Sequence, residues 1–429
     1  MSRLNRNRGT VVDRNRQQQM ATTPQNASQK DRDSQPIDCR NRGSQPVRSR
    51  MPRFDYFCRM LLMSINLQPN SRSALLSGLL VALLVAVSGC ERAAEPVFEL
   101  NDETSQLDTK LRIQIRGALR THSGTPQVPK MLGDESFDTK QLQHGMEIYM
   151  QRCSQCHGVS GDGRGPKAKY LYPLPRDYRR GIFKFTSTPY GSKPRREDLL
   201  NTLRRGIPGT SMPSFARLPK ADLEAVVDYV IALSKRGELE SQLVQEADPD
   251  EPEIDPEIVQ ELVDYIAESW EMAHFTEVMP LTPLPEFTAE DVAVGKELFT
   301  SPDVGCANCH GSDGRGQTAA NVETPLKDMW GHAARAADLT SGMLRGGSKP
   351  VDVYRRVFNG INGTPMPGFG TSAKIREDPE LVWKLVAYVL QISGQRRSGQ
   401  VPPVGQFTFA PYPQGTREDD TQTDDQSQE

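Results

Sequence analysis

The chain has 429 residues, 36% hydrophobic and 25% charged, with 52 Lys and Arg against 55 Asp and Glu and a net charge of −3. Length alone allows two or three domains, and the balance is that of a globular protein, which excludes a wholly disordered chain. The charge is unevenly placed, so the chain has to be read in order.

Residues 1–73 carry 14 Lys and Arg against 5 Asp and Glu, with many Asn, Gln and Ser. Such a stretch buries too little to offset the entropy of ordering, so no structure is assigned to it. A run without charges follows, from Ser73 to Gly89, with Arg72 before it. It is short for a membrane span and suits the apolar core of a signal peptide. The run ends Val87-Ser88-Gly89-Cys90, which resembles the lipobox of bacterial lipoproteins. That resemblance implies cleavage before Cys90 and acylation of its sulfur and amino group; a retained anchor and an ordinary cleaved signal are the alternatives. A start at Met63 gives a signal of ordinary shape over 63–89, which leaves 1–62 as a long leader or a start placed too far upstream.

Residues 90–137 read as a polar tether. Unit one, 138–237, contains Cys153-Ser154-Gln155-Cys156-His157, and unit two, 286–396, contains Cys306-Ala307-Asn308-Cys309-His310. C-x-x-C-H is the attachment site of a c-type haem. Two cysteines three apart on a helical turn lie on one side, within reach of both vinyl groups of one porphyrin, and the following His points at the iron. Covalent attachment holds a large apolar cofactor in a domain of about 100 residues, too small to secure it by packing alone. A redox dithiol, or one zinc site built from both pairs, is the alternative, and it leaves the trailing histidines unexplained.

A methionine loop repeats after each motif: Gly206-Ile207-Pro208-Gly209-Thr210-Ser211-Met212-Pro213-Ser214-Phe215, then Gly360-Ile361-Asn362-Gly363-Thr364-Pro365-Met366-Pro367-Gly368-Phe369. The His-to-Met separations are 55 and 56 residues. Met212 is the one Met between His157 and Gly237, so it is expected as the sixth ligand of unit one. Unit two also has Met329, His332 and Met343, and the repeat selects Met366. A His/Met pair raises the potential relative to two histidines, and six filled positions leave none open for substrate.

The repeat extends further. Gly145 to Tyr149 precedes the first motif as Gly295 to Phe299 precedes the second, and Asp162-Gly163-Arg164-Gly165 matches Asp313-Gly314-Arg315-Gly316. Each unit ends in a helical pattern: Leu223, Val226, Val227 and Val230, then Leu381, Leu385, Tyr388 and Val389, spaced to share one face. Between the units, Glu238 to Pro256 reads as an acidic linker. A helix is expected next within 238–285, capped by Asp255 with Pro256 in its first turn and Ile258, Leu262, Ile266 and Trp270 on its apolar side. Residues 397–429 form a polar tail.

Over about 210 residues this pattern resembles class I cytochromes c fused in tandem. The resemblance implies a mainly α fold of two helical haem domains joined by an acidic linker, with disordered termini. It also implies two covalent haem c groups on Cys153, Cys156, Cys306 and Cys309, with iron ligands His157, Met212, His310 and Met366. Gly145 and Tyr149 should cross the helix of Tyr229, and Gly295 and Phe299 that of Tyr388. The family presents a carbonyl from a proline region to the haem histidine; Pro166 stands there in unit one, while unit two has Gln317, which leaves that partner open.

The expected function is single-electron transfer between redox partners by a periplasmic, lipid-anchored protein that is not itself an enzyme. A haem subunit of a larger quinol-oxidising, oxidase or dehydrogenase complex, and a dihaem peroxidase, are the alternatives. Residues 143–236 hold 17 Lys and Arg against 8 Asp and Glu, including Arg179-Arg180, Arg195-Arg196 and Arg204-Arg205. They either steer an acidic partner or pair with haem propionates and the chain's own linker. Nucleic acid is not an expected partner.

Overall fold

The computed structural model describes residues 95–248 and 253–400. Cys90, the segment expected as a signal peptide and most of the expected polar tail lie outside the described residues. The described residues are helical, with two isolated β-bridges and no strand, and no helix among them is long and apolar enough to cross a membrane.

The stretch expected as a tether is in part a folded layer. It forms α1 (Asp102–Gln106) and α2 (Thr109–Ser123), each capped by an acidic or amide side chain: Asn101 accepts from the Thr104 amide, Asp108 from those of Lys110 and Leu111. Leu111, Ile115 and Leu119 recur every four residues and are buried. A narrow apolar stripe in an otherwise polar segment is hidden from composition and visible to periodicity.

Unit one then runs through α3 (Thr139–Arg152), the motif turn α4 (Ser154–His157), α5 (Arg196–Arg205) and α6 (Lys220–Glu246). The boundary expected at 237/238 falls inside α6, which continues another nine residues because Leu239 and Leu243 are wholly buried. Glu240 is also buried there; it pairs with Arg236 at 3.2 Å and accepts from the Asn101 amide and the Thr104 hydroxyl. The acidic start of the supposed linker is therefore part of the core. Helix α7 (Pro256–Met272) begins as expected, with the Asp255 side chain accepting from the Glu257 amide. Its buried line is Val259, Val263, Ile266 and Trp270, with Ile258 and Leu262 at the margin, and it shares one core with α2, α5 and α6.

Unit two has α8 (Ala289–Thr300), the motif turn α9 (Cys306–His310), the short α10 (Ala319–Val322), α11 (Pro350–Asn359), α12 (Ala373–Glu377) and α13 (Leu381–Ser393). The same crossing organises both units. A Cβ on Gly145 would collide with the Ala225 carbonyl oxygen, and one on Gly295 with that of Lys384. The absence of a side chain lets α3 lie directly on α6, and α8 on α13. The ring pairs stand beside these crossings, Tyr149 on Tyr229 at 5.3 Å and Phe299 on Tyr388 at 5.2 Å between centroids, within the tilted range that favours aromatic pairs.

Candidate functional site

Each C-x-x-C-H segment is a single helical turn, which follows α3 directly in unit one and is separated from α8 by residues 301–305 in unit two. In unit one the His157 amide donates to the Cys153 carbonyl at 2.9 Å, and Gly158 reverses the chain at φ 76°. In unit two Gly311 does the same at φ 74°. The Asp-Gly-Arg-Gly loop returns under the motif, with the Gly163 amide on the His157 carbonyl at 2.9 Å and the Gly316 amide on that of His310 at 2.7 Å.

Both imidazoles are held through Nδ1. His157 Nδ1 lies 3.1 Å from the Arg176 carbonyl oxygen, and His310 Nδ1 lies 3.2 Å from that of Ala337. A carbonyl only accepts, so Nδ1 carries the proton and Nε2 is left as the lone-pair nitrogen, the form that ligates a metal. Burial keeps both rings neutral, pushing His157 down to about 4 and lowering His310 as well. His157 also stacks on Tyr178 at 4.7 Å. The carbonyl partners are 19 and 27 residues beyond their histidines, so neither Pro166 nor Gln317 supplies them. The chain reaches the ring from a later loop, which a search near the motif would miss.

The two methionine loops are built alike. Each leaves a helix through a glycine at positive φ, Gly206 after α5 and Gly360 after α11. The Ile207 amide donates to the Met212 carbonyl at 3.1 Å and the Ile361 amide to that of Met366 at 3.2 Å. Thr210 Oγ1 accepts from the Met212 amide at 3.2 Å, and Thr364 Oγ1 from the Met366 amide at 3.3 Å. The threonine of the shared Gly-Thr pair thus fixes the backbone that presents the thioether.

One cavity of about 2780 Å³ is lined by Cys153, Cys156, His157 and Met212, and also by Cys306, Cys309, His310 and Met366. That is several times the roughly 300–1,000 Å³ of a small-ligand pocket, a volume suited to two large macrocycles. The other unit-two candidates stand elsewhere in it. Met343 packs on Gly209 of unit one's methionine loop and Met329 on Gly363 of unit two's own. His332 is half-buried with Nδ1 4.0 Å from Asp328. The buried indole N–H of Trp330, also on the lining, has no hydrogen-bond partner among the described residues, a donor suited to a cofactor carboxylate.

The alternatives for the cysteines fit less well. Burial pushes the Cys153 thiol up to about 12 and Cys306 up to about 11, the reverse of the depressed thiols of redox dithiols. Among the described residues no three His, Cys, Asp or Glu side chains cluster so as to hold a metal ion.

The arginine doublets divide. Arg179 pairs with Asp177 at 2.8 Å and Arg196 with Asp228 at 2.6 Å, while Arg195 bonds Glu277. Lys193 bonds Glu238, so the segment expected as a linker does neutralise part of the basic unit. Arg180 and Arg204 remain exposed.

Two family models match. The one described as "Cytochrome C oxidase, cbb3-type, subunit III" covers residues 140–230, and the one described as "Cytochrome c" covers residues 292–393. No curated protein matches the chain. Among solved structures, a chain of the Kuenenia stuttgartiensis reducing HAO-like protein complex is 28% identical, with a TM-score of 0.45, covering 58% of this chain and 96% of its own. The matched segments coincide with the two units that fold around Gly145 and Gly295, and the chain carries two cytochrome c-type domains in tandem.

Proposed function

We propose that the chain is a dihaem c-type cytochrome, exported and tethered to a membrane through Cys90, that carries single electrons between two redox partners on the periplasmic side. The observation that supports it best is the pairing on the cavity wall: in each unit an imidazole with its Nδ1 proton tied to a carbonyl, and a methionine on a threonine-braced turn. Cys153 and Cys156 in one unit, and Cys306 and Cys309 in the other, would hold a haem by thioether bonds, with His157 and Met212, and His310 and Met366, on the iron. Such a haem supplies a one-electron iron couple, whose potential a thioether ligand raises.

The chain's own residues do the rest. The Arg176 and Ala337 carbonyls orient the imidazoles and strengthen them as donors. Buried Tyr149, Tyr178 and Phe299 exclude water from the histidine side. Arg180 and Arg204 leave exposed positive charge for an acidic partner.

The oxidase-subunit description over residues 140–230 favours a second reading, a haem subunit of a larger oxidoreductase. Purification from the native membrane separates the two, since a free shuttle comes away alone and a subunit brings a stoichiometric partner. For the anchoring, Cys90→Ser should move the protein to the soluble fraction; continued membrane association would contradict it.

A further inference from the structure

We infer that the loop carrying Arg176 couples the two sites, because its backbone holds the histidine of unit one while its side chains grip the methionine turn of unit two. This rests on the dihaem reading above.

The connection can be followed atom by atom. The Arg176 carbonyl accepts from His157 Nδ1, and the guanidinium of the same residue lies over the Trp330 ring, 3.6 Å from its centroid. Trp330 in turn lies against Gly363, where an added Cβ would come within 2.7 Å of the indole. The neighbouring Met329 amide donates to the Gly363 carbonyl at 3.1 Å. Gly363 belongs to the turn that presents Met366. Asp328 fixes the tryptophan turn by accepting from the Trp330 and His332 amides at 3.1 and 3.0 Å, and it pairs with Lys184 of unit one at 3.5 Å.

A second contact joins the same elements. Asn362, buried in the methionine turn of unit two, accepts from the Gly191 amide at 2.8 Å and donates to Thr186 Oγ1 at 3.4 Å. The matching residue in unit one is Pro208, whose side chain has no amide to make such bonds. The repeat departs from itself at the position that reaches the other unit.

Two consequences follow. The Arg176 guanidinium is half-buried on Trp330 of unit two while the backbone of the same residue holds His157 of unit one, and a nearby cation favours the reduced form of an iron centre. The methionine turn of unit two cannot shift without moving the loop behind His157, so the ligand geometry of one site is tied to that of the other. Arg176 and Asn362 are therefore positioning residues.

The test is a spectroelectrochemical titration of the full-length, haem-loaded protein, with Met212→His and Met366→His used to assign the two waves. Arg176→Ala keeps the peptide carbonyl on His157 and removes only the side chain. It should lower the unit-two couple by at least tenfold in the reduced-to-oxidised ratio, about 59 mV for one electron, with a smaller fall in unit one. Arg176→Lys keeps the charge and loses the flat stack, and should fall between. Asn362→Ala should shift the unit-two couple while leaving the charge unchanged. A unit-two couple within a factor of two of the parent in all three variants, with two haems still bound, overturns the coupling and leaves the dihaem reading standing. A parent protein with fewer than two covalent haems overturns the dihaem reading instead.

Discussion

The two units present the same Cys-x-x-Cys-His turn and methionine loop with very different support. Unit one is backed by α1, α2 and α7, which close a second core behind α6, with Ile115, Leu239, Leu243 and Ile266 wholly buried. Its histidine is stacked on Tyr178, which itself stacks on Phe183. Unit two has the crossing of α8 and α13, a single core around Tyr354 and Trp383, and a motif turn whose Cys309 is exposed. A cytochrome c unit thus needs little beyond the glycine crossing, the motif turn and the methionine loop. Unit two builds the same motif turn and methionine loop without the extra helices of unit one.

Removing the attachment cysteines separates the two units most sharply. With Cys153 and Cys156 both changed to Ser, covalently bound haem should fall from two per chain to one, and changing Cys306 and Cys309 should do the same. Unequal residual loading, read from the haem absorbance per polypeptide, would show which unit matures independently.

Exchange of the thioether is the next largest effect. Met212→His and Met366→His should each lower one redox wave, by on the order of 100 mV within the roughly 0.8 V that axial ligands span. A variant that leaves both waves in place would remove that methionine from the ligand set.

The extra core of unit one sharpens the contrast in stability. Ile115→Ala should cost about 2–5 kcal/mol, the usual range for emptying a buried aliphatic site. Calorimetry should show the loss as a lower melting temperature.

The smallest effect is at the start of α8. Hydrogen bonding to Lys384 and to the Thr288 cap holds the Asp291 carboxyl down at about 2, below its usual 3.8. A carboxyl lowered by folding stabilises fully above its unfolded value and loses that contribution as pH falls through about 2. Asp291→Asn should therefore lower unit two's melting temperature slightly at neutral pH, and the two proteins should converge near pH 2. A constant difference across that range would assign the effect to packing.

Much of this was legible because chemistry forces particular residues into particular places. The glycines at 145 and 295 follow from a helix crossing too close for a Cβ, and the Asp255 cap and Pro256 from the first turn of α7. What was missed depends on chain folding back from a distance. The stripe of Leu111, Ile115 and Leu119 is diluted by charged neighbours, and α6 continues through acidic residues because Glu238 and Glu240 find Lys193 and Arg236. The histidine partners Arg176 and Ala337 act through backbone carbonyls, which any residue can supply, so no side chain advertises them. The Asn362 contact left one mark in the sequence, an asparagine where the repeat has Pro208.

The proposed electron transfer requires two irons, each held by one imidazole and one thioether. Resonance Raman spectra of the reduced protein, before and after carbon monoxide, test this directly. Two six-coordinate low-spin centres that resist the gas are predicted; a five-coordinate centre, or rapid uptake of carbon monoxide at either site, would contradict it.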